Sequence, residues 1–263
     1  MDDKEDVKIF IVSHKPVSDP IVKKGYHYIG VGPNQKSLGF DYTDSTGDNI
    51  SEKNQSFCEL TVQYWIWKNV QAKYVGLVHY RRLFYHRFSI FKARILSEKD
   101  ISKLLGKYDV IVPKEYEMSK SLYDYYCWQH YQRDIDEVGK IISSLHPDYL
   151  DAFNKTKNEK RGVGCNMIIT SKRIYDDYSE FLFSVLFELE KRTNLSSYND
   201  YQKRIYGFLG ERLLNVYLWK HNELKVRYQS IVFIDGKSML SHKVNGLFTK
   251  VFRIKTKEPD PIK

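Results

Sequence analysis

The amino-acid sequence predicts an α/β protein, a mostly parallel sheet flanked by helices in a single domain. Three observations carry that prediction. Short β-branched runs alternate with helical patterns through most of the chain, the order expected of a layered α/β fold. The 263 residues suit one substantial domain. Hydrophobic residues at 42% against 29% charged leave enough apolar surface for a core, which sets disorder aside.

Taken in order, Val7–Ser13 (VKIFIVS) is a buried first strand that runs into the His14-Lys15-Pro16 loop, and Tyr26–Val31 is a second strand closed by Gly32-Pro33. Residues 34–54 are polar, with Gly39, Gly47 and several Asp and Asn, and read as one long loop, a length usually tied to function or mobility. Asn54–Val70 has helical periodicity through Phe57, Leu60, Thr61, Tyr64, Trp65 and Lys68. Lys73–Val78 is a strand, followed at once by His79-Tyr80-Arg81-Arg82. Glu98–Leu105 is helical, and Tyr108–Val112 is a strand stopped by Pro113. Residues 119–145 read as a helical region and Pro147-Asp148 as the start of a short helix. Gly162–Thr170 is a strand and Ser171–Arg192 a long amphipathic helix with Phe181, Leu182, Val185, Leu186 and Leu189 on one face. Tyr198–Trp219 is a further helix and Lys225–Phe233 a last strand. The domain is drawn over residues 1–242. Residues 243–263 form a basic tail, with six Lys or Arg against two acidic residues.

Bulk chemistry narrows the function classes. The formal net charge of +9 attracts phosphates of any kind, whether nucleic acid, lipid headgroup or nucleotide diphosphate. No recognised nucleic-acid motif is present and the basic residues are spread along the chain, so a nucleic-acid partner is not expected. Aromatic residues make up 15%, including 21 Tyr, whose flat face and hydroxyl suit sugar or base stacking as well as an ordinary core. Cys58, Cys127 and Cys165 form no CxxC pair, so no zinc site is expected, and the odd count fits a reducing compartment. The N-terminus lacks a signal-peptide pattern and no apolar run reaches a membrane span, so the expected location is cytoplasmic, with peripheral contact to the inner membrane face through the tail. An unstructured tail explains those basic residues equally well.

In open α/β sheets ligands bind beyond the carboxyl ends of the strands, so the segments after Ser13, Val31, Val78 and Val112 are the first places to look. Four constellations carry chemistry. Gly47-Asp48-Asn49-Ile50-Ser51 with Lys53-Asn54 leads into a helix start, where free N–H groups and a lysine suit a diphosphate; an ordinary capped helix with a solvated lysine reads the same way. In His79-Tyr80-Arg81-Arg82, two adjacent arginines at a strand end face either solvent or an anion. No Asp-x-Asp follows this strand, so these cations could neutralise a leaving diphosphate in place of a metal, while a divalent ion such as Mn²⁺ or Mg²⁺ stays open. Tyr126, His130 and Asp134, four residues apart, fall on one face of the expected helix, as an acceptor site with a general base or as a solvated stripe. Glu211-Arg212 follow Gly207-Phe208-Leu209-Gly210 near an expected helix start, where a carboxylate is held ionised, as a proton-accepting base or as plain helix-start electrostatics with Arg212 paired elsewhere.

Together these segments are similar to a known family. The run is HKP, then GDNIS-x-KN-x-x-x-CELT-x-x-YW-x-WKN, GLVHYRR, Y-x-x-x-H-x-x-x-D, P-x-Y-L-x-AF, the Asn166-Met167 strand, LF-x-x-LFELEKR and R-x-YGFLGERLLNVYL. It resembles the bacterial capsular and exopolysaccharide biosynthesis glycosyltransferases, a family long labelled a domain of unknown function that includes galactofuranosyltransferases. The resemblance spans residues 7–235. It implies a GT-A-like (Rossmann-like) fold and transfer of a hexose, galactose or galactofuranose, from a UDP-sugar to a polysaccharide or lipid-linked oligosaccharide. It places His14, Asp48, Asn49, Lys53, Asn54, His79, Tyr80, Arg81, Arg82 and Arg212 near the nucleotide donor. Tyr126, His130 and Asn166 would line the acceptor cleft, and Glu211, with Asp134 in reserve, would serve as base. Gly210 departs from the serine expected in that motif. A non-catalytic sugar-binding or scaffold subunit is the competing class.

Overall fold

The computed structural model describes residues 6–17, 20–33, 35–87 and 93–234, so the basic tail at 243–263 lies outside the described residues. Along the chain, β1 (Val7–Ser13) and β2 (Tyr26–Gly30) precede a short 3₁₀ turn at Gln35–Leu38 and the two-residue β3 (Tyr42–Thr43). Next come α1 (Asn54–Phe57), α2 (Leu60–Asn69), β4 (Tyr74–His79), β5 (Arg82–Arg87), β6 (Ala93–Ile95), α3 (Glu98–Leu105) and β7 (Val110–Pro113). Then follow β8 (Tyr116–Glu117), α4 (Leu122–Gln129), α5 (Gln132–Leu145), α6 (Leu150–Lys155), β9 (Arg161–Gly162) and β10 (Ile168–Ser171). The last elements are α7 (Lys172–Arg192), α8 (Ile205–Lys220), β11 (Val226–Gln229) and β12 (Ile231–Phe233).

The central sheet runs β11-β7-β10-β4-β1-β2-β3. Its pairs β1/β2, β1/β4, β2/β3 and β7/β11 are parallel, whereas β10 is antiparallel to both neighbours. Side chains alternate across the pleat and both faces are covered, so the strands read as continuous apolar runs. On β1, Phe10 and Val12 join one core while Val7, Ile9 and Ile11 join the other. Val110 and Val112 of β7 likewise oppose Ile111. The larger core lies under α2, α5, α7 and α8, and the smaller one is closed by Ile101 of α3.

Local chemistry sets the helix starts. Ser97, Ser121 and Ser171 each accept a backbone N–H from the first turn of α3, α4 and α7. Among the described residues no helix is long and apolar enough to cross a membrane.

The structure corrects several elements. The single helix expected over 54–70 is broken at Cys58, whose φ of 53° and ψ of −130° suit glycine rather than an L side chain. The expected 34–54 loop contributes β3 to the sheet edge. The run Arg82–Arg87 is an unexpected strand, because RLFYHR carries charge where β-branched residues would mark one. It folds back on β4 with His79 opposite Arg82, so HYRR is a tight hairpin. The helical region at 119–145 splits at His130, where φ is −138° and ψ 176°. Tyr126, His130 and Asp134 therefore do not share one helical face. The expected strand over 162–170 is a short β9, a loop and β10, and the one over 225–233 breaks at Ser230 into β11 and β12.

Candidate active site

The carboxyl ends of β1 and β4 and the amino end of the antiparallel β10 lie at one edge of the sheet, where α2 begins and α8 passes across. The centre of this edge is Glu211. It is the seventh residue of α8, so it does not sit at a helix start as the sequence suggested, and no helix terminus holds it ionised. Its Oε1 accepts the Cys165 N–H at 3.1 Å and its Oε2 accepts Arg212 Nη1 at 3.0 Å. The side chain keeps 28% of its exposure, against 8% for Arg212, so it is reachable while protein surrounds it. Burial raises its pKa first of all; Arg212 opposes that, and the charge of Glu59 adds to it.

Glu59, which the sequence reading passed over, is the second carboxylate. Its Oε1 accepts Asn166 Nδ2 at 2.7 Å, and the same amide nitrogen donates to the Gly207 carbonyl at 2.9 Å. Asn166 thus joins the start of α2 to α8, while its Oδ1 is buried without a partner. Asn215 holds the loop before β10. Its Oδ1 accepts the Val163 N–H at 2.8 Å, and its Nδ2 donates to the Val163 carbonyl at 2.8 Å and the Glu211 carbonyl at 2.7 Å. Two residues here have left-handed backbone, Cys58 and Cys165 with φ of 53° and 64°. Such conformations in L residues gather at functional sites. Neither cysteine is an activated thiol, because burial raises the pKa of Cys58 to about 11 and of Cys165 to about 12.

Cations ring the carboxylates. Arg204 Nε donates to Cys58 Sγ at 3.2 Å, and the charge of Arg82 acts on Glu211. The His79 residue is partly buried, with its Nε2 fully buried and unpartnered; burial lowers its pKa, Glu59 opposes this and Arg82 reinforces it. His14 meets the Tyr80 ring edge-on at 5.6 Å, and its pKa is lowered by burial, then by Lys15, Arg81 and Arg204. Arg81 lies 5.2 Å from the Tyr80 ring centre and Arg82 5.6 Å from that of Phe233. His14, His79, Tyr80, Arg81, Arg82, Asn166, Glu211 and Arg212 are therefore brought to one edge.

The remaining sequence candidates sit further out. Tyr64 donates to the Asp48 carboxylate at 3.0 Å and Asn69 Oδ1 accepts the Asp48 N–H at 3.1 Å, which ties that turn to the far end of α2. Asn49 is engaged with Gly47 and Ser51. Lys53 pairs with Glu190 at 2.5 Å over the Phe57 and Phe187 rings. Asn54 braces the helix break by donating to the Cys58 carbonyl at 2.8 Å. Asp134 is 4% exposed and accepts the Tyr198 hydroxyl at 2.6 Å. Tyr126 and His130, at 0% and 5% exposure, form a layer beneath the site, with Arg212 5.4 Å from the Tyr126 ring centre.

A half-buried base of raised proton affinity, flanked by guanidinium groups, can take a proton from a hydroxyl while an anion leaves nearby. Among the described residues no three His, Cys, Asp or Glu side chains converge to hold a metal ion.

Comparison with known proteins agrees with this architecture. The chain superposes on the apo structure of WbbM, a bifunctional glycosyltransferase, with a TM-score of 0.79 and 33% identity over 87% of its own length. It spans 45% of that chain. No curated protein matches. The fold is GT-A-like α/β, and a family model described as "Domain of unknown function (DUF4422)" matches residues 8–223. The chain belongs to the DUF4422 family.

Proposed function

We propose that this chain is a hexosyltransferase that moves a sugar from a UDP-sugar onto a hydroxyl of a polysaccharide or lipid-linked oligosaccharide during bacterial surface polysaccharide assembly. Galactose, in its pyranose or furanose form, is the first donor to try. The observation that carries this reading is Glu211, held between the Cys165 N–H and Arg212 within reach of Arg82. The likeness to a bifunctional glycosyltransferase supports it.

In the proposed reaction Glu211 takes the acceptor hydroxyl proton as that oxygen bonds the anomeric carbon. The bond from that carbon to the β-phosphate oxygen breaks, and UDP leaves with the electron pair. Negative charge grows on the diphosphate in the transition state, where the guanidinium groups of Arg82 and Arg204 and the cations beside His14 stabilise it. Asn215 and Asn166 position Glu211 and Glu59 without entering the reaction. Among the described residues no three His, Cys, Asp or Glu side chains come together as a divalent-cation site.

The test is Glu211→Gln, with transfer followed by UDP release and UDP affinity by calorimetry. Transfer falls by about a hundred- to ten-thousandfold with UDP affinity retained. Turnover within a few-fold of the wild type removes Glu211 as base. A wild-type chain that releases no UDP from any sugar nucleotide, with or without Mn²⁺, is the scaffold subunit instead.

A further inference from the structure

Five large hydrophobic side chains among the described residues are exposed, and two of them, Trp128 at 44% and Tyr201 at 52%, sit on separate elements locked together. The lock is Gln202, itself 5% exposed. Its Nε2 donates to the Gln129 carbonyl at the end of α4 at 2.8 Å, and its Oε1 meets His130 Nδ1 at 2.9 Å. The turn bearing Tyr201 is thereby fixed to the helix end bearing Trp128. Behind Tyr201 the rings are layered: His130 stacks on Phe208 at 4.1 Å, and Tyr201 lies 5.8 Å from His130 at 21° and 5.1 Å from Phe208. The half-exposed Tyr201 thus has one side backed by rings. On α4, Tyr125 lies 5.7 Å from Trp128, three residues away, and its hydroxyl accepts Gln129 Nε2 at 3.3 Å.

The platform is continuous with the base. Phe208 carries Tyr201 on its ring and accepts Arg212 Nη1 on its carbonyl at 3.4 Å, and Arg212 pairs with Glu211. Arg204 lies 5.3 Å from the same Phe208 ring. The charge of Glu211 also acts on Tyr201.

We propose that Tyr201, Trp128 and Tyr125 form the acceptor subsite, a rigid aromatic platform on which the C–H face of a neutral sugar ring stacks with a hydroxyl turned toward Glu211. This deepens the proposed function and rests on it for the role of Glu211. The ligand chemistry follows from the side chains. Exposed aromatic faces gain by covering apolar C–H surface, while the phenol hydroxyls, Gln129 and the carboxylate pair with sugar hydroxyls. The cations around His14 suit a diphosphate, and Arg204, which acts on His14 and also lies against the Phe208 ring, stands where donor and acceptor would meet. Tyr126 and His130, assigned to the acceptor from sequence, instead form the layer beneath, too buried to touch it.

The experiment uses the full chain with Tyr201→Ala, Trp128→Ala and the conservative Trp128→Phe. Both alanine variants raise the acceptor KM by about tenfold or more, with donor KM, UDP affinity and melting temperature unchanged; Trp128→Phe recovers most of the loss. Lactose and methyl β-galactoside are also titrated against each variant by saturation-transfer NMR, which needs no turnover. Saturation transfer present in the wild type and lost in both alanine variants supports the platform even if Glu211→Gln still turns over. Unchanged acceptor KM, or unchanged saturation transfer, in both alanine variants overturns it.

Discussion

Protonating His130 offers a direct measure of how tightly the layer beneath the site is packed. Its ring is 5% exposed between Tyr126 and Phe208. Burial pulls its pKa from 6.5 down to about 4; the hydrogen bond with Gln202 opposes this, and Arg212 and Arg204 add to it. The unfolded chain takes up the proton near 6.5 and the folded chain only near 4, so between those values the unfolded state binds more protons and stability rises with pH. The contribution is intact above 6.5 and is lost as pH falls toward 4. Integrating that difference gives a loss of about 2 kcal/mol between pH 7 and pH 5, and about 3 kcal/mol once pH is below 4. Urea unfolding of the wild type and of His130→Gln at matched pH isolates the effect, because other titrating groups cancel in the difference. The wild type loses its margin over the variant as pH drops from 7 to 5. A difference that stays flat across that interval, or an imidazole titrating near 6.5 by NMR, refutes the packing.

Two further outcomes are expected at the same edge. A Cβ at Gly210 would come within 2.9 Å of a Leu60 methyl and 3.0 Å of the unpartnered Asn166 Oδ1, so Gly210→Ala only crowds, whereas Gly210→Ser also supplies a donor. In thermal and urea unfolding the serine variant is the more stable of the two by about 1 kcal/mol, against a helix propensity that favours alanine by about 0.5 kcal/mol; equal or reversed stabilities contradict the account. In Glu59→Gln the acid limb of the pH profile of kcat moves to lower pH, because the charge of Glu59 is one of the causes that raise the pKa of Glu211; a limb that stays put or moves up means that the two carboxylates do not face each other.

Much of the scaffold was legible because it depends on local pattern. The apolar runs of β1, β4 and β7 and the periodic face of α7 announce themselves within a few residues. Arg82–Arg87 did not, since its strand character comes from pairing with β4 and with β12 from the far end of the domain. The site was legible in part for the same reason. HYRR and Glu211-Arg212 stand out as charge in apolar surroundings. In the sequence Glu59 looks like any acid within a helix, and its place opposite Asn166 is a contact across 107 residues. The GDNIS turn with Lys53 went the other way: a glycine turn, a helix start and a lysine suit a diphosphate, yet Glu190 holds the lysine and Tyr64 the Asp48 carboxylate.

The residues that aim the site are also the least predictable, and the two left-handed cysteines show why. Each holds a conformation that costs an L residue on the order of 1–3 kcal/mol, so the surroundings must enforce it. At Cys58 the break ends α1 and lets α2 start afresh, which turns Glu59 toward Asn166. Gly207 makes room for it, since a Cβ there would lie 3.2 Å from the Cys58 Cβ and Sγ. At Cys165 the loop points its N–H at Glu211, and Asn215 grips the preceding Val163 through both backbone groups. The glycine of the first pair and the asparagine of the second both lie on α8, the helix that carries Glu211. One rigid helix therefore supplies the base and the means of holding both strained turns against it, and a change at Gly207 or Asn215 acts on the carboxylate without touching substrate.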